Sequence, residues 1–100
     1  VKLEAFPFEP GPRIFEGQQL SGKVMIPKGS KIVHVGAVPP NGEMNLFCEV
    51  PDVEVPKVQL DFAIVGEGQK IPDGYIYRGY ILAVPLLFVY QKEGPSIITG

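Results

Sequence analysis

Proline and glycine interrupt this chain so often that no stretch can sustain a long helix. Eleven prolines and twelve glycines are spread through 100 residues, and every candidate window meets one within about ten residues, roughly the uninterrupted length a helix needs. The other period is plain at Val58-Gln59-Leu60-Asp61-Phe62-Ala63-Ile64. Large apolar side chains recur there at every second position, the signature of a half-buried strand. Similar short runs rich in β-branched and aromatic residues occupy residues 22–26, 31–38, 43–50, 75–83 and 86–91.

Turn chemistry separates these runs. Pro27-Lys28-Gly29-Ser30 and Pro39-Pro40-Asn41-Gly42 combine residues that tolerate positive φ with prolines that fix the entry angle, and both predict hairpin connections. Longer links follow at residues 51–57 and 66–74, and Val84-Pro85 predicts a tight reversal because proline cannot donate to a central ladder. The expected fold is all-β: an antiparallel meander of about six strands forming a small barrel or sandwich. A chain of this length hides roughly 65% of the surface its unfolded form exposes, enough for one core.

The first 21 residues differ in character and predict an extended, proline-rich arm, followed by a β-domain over residues 22–93 and a tail over 94–100. Phe6-Pro7-Phe8-Glu9-Pro10-Gly11-Pro12 opposes regular structure, while residues 1–6 and 13–15 could each add an edge strand. Leaving Phe6, Phe8 and Phe15 in water would cost about 1.5 to 3 kcal/mol each, so the arm is expected to dock, either on its own domain or on a neighbouring subunit or partner.

Charge points to no polyanionic partner. Nine basic residues face eleven acidic ones, a net charge of −2, and the nearest thing to a basic cluster, Lys23, Lys28 and Lys31, reads as solvated strand ends, so nucleic acid is not expected. The apolar run at residues 81–90 is too short, and is broken by Pro85, to cross a bilayer as a helix. No membrane partner is expected. The N-terminal residues carry no recognisable secretory signal, and a single cysteine precludes an internal disulfide.

The chemical inventory is thin. Cys48 and His34 are the only thiol and imidazole, so a nucleophilic pair is the first enzyme hypothesis. Strand parity separates them: if residues 31–38 and 43–50 form a hairpin, His34 lies beside Phe47 or Glu49 on the exposed face, and Cys48 joins Val33, Val35, Met44 and Leu46 in the core. One cysteine and one histidine also fall short of a zinc site. Glu49, Asp52 and Glu54 read as solvated carboxylates. Gly66-Glu67-Gly68-Gln69-Lys70 lacks the helix and the Lys-Ser/Thr ending of a phosphate loop. No catalytic residue, metal or cofactor is therefore expected. Tyr75, Tyr77 and Tyr80, with Arg78, give the last strands their aromatic weight and form the best candidate contact patch; parity puts Tyr75 and Tyr77 on one face and Tyr80 on the other.

The order Pro27-Lys28-Gly29-Ser30-Lys31-Ile32, an aromatic strand at Leu46-Phe47-Cys48, Gly66-Glu67-Gly68-Gln69-Lys70-Ile71-Pro72 and Tyr77-Arg78-Gly79-Tyr80 resembles a family of small phage- and bacterium-encoded domains of unknown function, over residues 22–93. Tyr80 stands where that pattern usually has threonine. The resemblance implies a β-rich domain of a phage or prophage, resident in the virion or in the cytoplasm of an infected bacterium. With so few reactive groups, the expected function is non-enzymatic: a protein-binding or structural module, foremost a virion accessory that decorates or cements a capsid, and alternatively an inhibitor that binds a host bacterial protein. Neighbouring virion subunits or further copies of itself are the expected partners, in an oligomer or larger assembly.

Overall fold

The computed structural model describes residues 1–14, 19–38, 43–82, 85–93 and 97–99, and among them there is no helix. The expectation of an antiparallel all-β fold holds, and of its two forms the molecule takes the sandwich. Among the described residues nine strands form: β1 (Lys2–Pro7), β2 (Glu9–Ile14), β3 (Gln19–Pro27), β4 (Lys31–Val38), β5 (Glu43–Val50), β6 (Lys57–Gly66), β7 (Tyr75–Ile81), β8 (Leu87–Lys92) and β9 (Ile97–Thr99). One sheet runs β1-β5-β4; the other runs β2-β3-β6-β8-β7, with β9 also pairing β6.

The order is not a simple meander, because the chain changes sheet three times. The first change is at Phe8, between β1 and β2, where the Phe8 amide donates to the Met44 carbonyl at 3.1 Å. Residues 27–30 make the second. They form a turn as expected, with Ser30 N–H donating to the Pro27 carbonyl at 3.1 Å and Gly29 at a φ of 86° that favours glycine. It is not a hairpin, since β3 and β4 lie in different sheets. The third change spans residues 51–56, tied to the second by Lys28 N–H donating to the Pro56 carbonyl at 2.8 Å. The predicted turn at residues 39–42 and Val84 lie outside the described residues, although β4 and β5 pair antiparallel on either side of the former.

The arm expected over residues 1–21 is part of both sheets. Residues 2–7 pair with β5, Lys2 opposite Val50 through Pro7 opposite Asn45, and β2 pairs with β3. Proline is tolerated because β1 and β2 are edge strands, where one row of amides needs no ladder partner. Of the expected tail, residues 97–99 form β9 on the edge of β6.

The sheets enclose one core. Val24, Leu60, Phe62 and Val89 from the larger sheet meet Val35, Leu46, Cys48 and Val50 from the smaller. Phe62 is buried, and covering such a ring contributes about 1.5 to 3 kcal/mol. At its centre β6 departs from the expected half-burial: Ala63 and Val65, on the face opposite Phe62, are buried as well. Strands flank this stretch on both sides, and Tyr90 and Phe88 stand directly across from Ala63 and Val65, so large rings close over small residues.

Candidate functional site

The two aromatic groups singled out in the sequence have opposite fates. Phe6 and Phe8 pack against the domain's own core. The Phe8 ring meets Phe62 edge-on, with centroids 5.1 Å apart and planes at 79°, next to Gly22, where a side chain would bring a Cβ to 3.2 Å from Phe8 Cδ1. Phe15 lies outside the described residues. Tyr77 and Tyr80 remain outside the core, each 51% exposed.

A bulge decides where β7 points. Its pairing with β8 runs Tyr75 to Lys92, Ile76 to Gln91 and Tyr77 to Tyr90, then skips Arg78 and resumes with Gly79 to Val89 and Tyr80 to Phe88. One extra residue inverts the alternation. Tyr80 therefore shares the outer face with Tyr75 and Tyr77, contrary to the parity expectation, and Gly79 and Ile81 turn inward with Val89. Tyr77 packs on Tyr90 at 5.5 Å. Tyr75 is half-buried, and desolvation, followed by the nearby Asp61 charge, raises its phenol pKa.

A second bulge sits on the strand facing it. In β4, Ile32 is opposite Cys48 and His34 is opposite Phe47, leaving Val33 unmatched. Val33 is thus exposed, not in the core as expected. His34 rests against Phe47, ring centroids 5.6 Å apart, and of the two neighbours expected for it Phe47 is the one observed; Glu49 stands across from Lys31 and Leu3. Cys48 is buried and opposite Ile32 and Glu4. Burial pushes its thiol up to about 11. The parity argument separating the thiol from the imidazole holds despite the bulge, because the shift falls between the two register positions.

The bulged edges of the two sheets meet along a seam. Val33, His34 and Ala37 of β4 and Tyr77, Arg78 and Tyr80 of β7, with Leu82 just beyond, border a groove of about 450 Å³. β7 lies close to β4 at Gly79, where a Cβ would sit in ordinary contact with Val35 at 3.5 Å. Leu82 is 80% exposed. Three of the four residues proposed from sequence, Tyr77, Arg78 and Tyr80, are therefore brought together. Val33, His34 and Leu82 were not legible as part of the patch, since only the cross-sheet approach of β4 and β7 unites them. Arg78 is held by its Nε, which donates to Gln91 Oε1 at 2.7 Å.

Elsewhere, the glycine-rich loop after β6 is a turn. Gln69 N–H donates to the Gly66 carbonyl at 3.1 Å, the Gly66 amide donates to Gln69 Oε1 at 2.8 Å, and Gly68 has a φ of 84°. Among the described residues no group of three or more His, Cys, Asp or Glu is placed to hold a metal ion.

Residues 18–97 match a family described as a domain of unknown function, DUF7352. The chain belongs to that family. The match takes in β3 through β8 whole and begins after β1 and β2, so both bulged edges fall within the family domain. No curated protein and no solved structure matches the chain.

Proposed function

We propose that this DUF7352 domain is a non-enzymatic protein-binding module of phage origin, a virion accessory that decorates or cements a capsid. The observation that carries the binding reading is the seam: exposed Val33, Tyr77, Tyr80 and Leu82 gather around a cation on two adjoining sheet edges. Tyrosine and arginine are the side chains that contribute most when an interface desolvates them. A lone exposed apolar residue needs no explanation, but a contiguous group rimmed by polar atoms is what contact surfaces have in common. The non-enzymatic part is supported by the separation of the two reactive groups. Cys48 is buried with a thiol that stays protonated at neutral pH, while His34 lies on the other face of the same strand pair.

The fold narrows how such a module would attach. Phe6 and Phe8 pack on its own core, which favours the seam over these two rings as the surface a partner would meet. The phage and capsid parts of the reading rest on the sequence resemblance. On this reading the protein resides in the virion, or in the infected cell's cytoplasm before assembly. Mass spectrometry of purified particles from a phage encoding the chain tests it: a fixed, stoichiometric copy number per capsid is expected, and absence from the particle overturns the virion role. A single stoichiometric bacterial partner in place of capsid subunits would instead identify an inhibitor of a host protein.

A further inference from the structure

We infer that one open end of the sandwich, which meets the seam only at Arg78, is a binding site for a small aliphatic monocarboxylate. A cleft of about 450 Å³ opens there between the two sheets, within the range of small-ligand sites. Ile26, Ile32, Val58 and Leu60 line it with apolar surface continuous with the core, and Lys31 and Arg78 bring two cations to it. No carboxylate lines it among the described residues. The ion pairs of the described residues join Val1 with Asp52, Lys2 with Glu4 and Lys23 with Glu9, so neither cation is engaged in one, although Glu49 stands across from Lys31 in the β4–β5 register.

Arg78 is also pre-positioned. It is the extra residue of the β7 bulge, a device that re-aims a side chain. Its Nε is committed to Gln91 Oε1 at 2.7 Å, and Gln91 lines the same cleft. A guanidinium fixed through Nε retains the two terminal nitrogens, whose planar fork suits a carboxylate. Anchoring the side chain beforehand reduces the ordering cost of binding. An anionic head against Arg78 and Lys31 with an aliphatic tail over Ile26, Ile32, Val58 and Leu60 uses every kind of surface the cleft offers.

Octanoate is the probe, titrated into the full chain with methyl and arginine Nε–H chemical shifts as the readout, beside acetate and octanol as head-only and tail-only arms. Saturable shifts at the Ile26, Ile32, Val58 and Leu60 methyls and at Arg78 are expected, with a dissociation constant on the order of 1 mM. Acetate and octanol should each bind at least about tenfold more weakly, and Arg78→Met should weaken octanoate by about tenfold with an amide spectrum that otherwise overlays the parent. Lys31→Met should weaken it about threefold. Tyr80→Ala, on the outer face, should leave octanoate binding unchanged whatever it does to a protein partner. No saturable shift, shifts confined to Val33, Tyr77, Tyr80 and Leu82 of the seam, equal binding of octanol, or full affinity in Arg78→Met would each overturn the site.

Discussion

Two aromatic-rich regions of this chain have opposite fates, one inside the protein surface and one outside it. Residues 2–14 place phenylalanines among prolines, and residues 75–82 place tyrosines around an arginine and a glycine. The first becomes an edge strand of each sheet and turns its rings into the core; the second becomes an edge strand whose rings stay outside. Both lie at sheet edges, so position in the sheet does not explain the difference. The side chains do. Phenylalanine has no polar atom to leave in water and gains only by burial. Tyrosine can keep its hydroxyl solvated while its ring packs along a neighbour, as Tyr77 does on Tyr90. Gly22 completes the contrast by leaving room for Phe8 where another residue would crowd it.

The largest effect should separate the two regions outright. Phe8→Ala is expected to destabilise the fold by about 3 kcal/mol, in the range for removing a ring packed on a core, measured by urea denaturation. A loss no greater than that of Tyr80→Ala would erase the contrast. The buried thiol gives a second measure of how firmly the N-terminal strand is seated, because Glu4 of β1 stands opposite Cys48. The folded-state thiol ionises at about 11, against an ordinary value of 9.0. Folding thus favours the protonated form, and its contribution is complete below pH 9 and lost as pH rises through 11. Two units correspond to about 2 to 3 kcal/mol. Stability should fall by that much more between pH 9 and pH 11 in the parent than in Cys48→Ala; parallel curves would mean that the thiol titrates normally beneath a loosely held strand.

Smaller effects sharpen the same comparison. Gly22→Ala would press a methyl group against the Phe8 ring at 3.2 Å, and a cost of about 1 to 2 kcal/mol is expected from crowding at a packed site. On the seam, Tyr80→Ala should change stability by less than about 0.5 kcal/mol, as surface substitutions do. Tyr80→Glu, with the fold equally intact, should reduce occupancy on particles by at least about tenfold if the seam carries the contact. Full occupancy would move the contact elsewhere on the molecule.

What the sequence made legible follows from what each signal encodes. Alternation at residues 58–64 reports a strand directly, and glycine and proline at residues 27–30 report a reversal directly. Neither says which strands pair: residues 27–30 have hairpin chemistry, yet the chain uses them to pass from one sheet to the other. The bulges were hidden for another reason. Val33 and Arg78 are ordinary strand residues, and an extra residue at either position leaves no compositional mark while it inverts every side chain beyond it. Uninterrupted alternation therefore predicts the wrong face for Tyr80 and a core position for Val33. His34 and Cys48 kept their predicted separation because Ile32 and His34 still pair with successive residues of β5.

Native-state hydrogen exchange across β1 and β5 tests the central claim most directly, since it asks whether the first strand opens with the core or apart from it. Amides of β1 that pair with β5, together with the Phe8 amide bonded to Met44, should exchange only through the same cooperative opening as the amides of β5, with the same free energy. Exchange of the β1 amides orders of magnitude faster than those of β5 would show an arm merely resting on the sandwich, and the assignment of the phenylalanines to the interior and the tyrosines to the contact surface would fall with it.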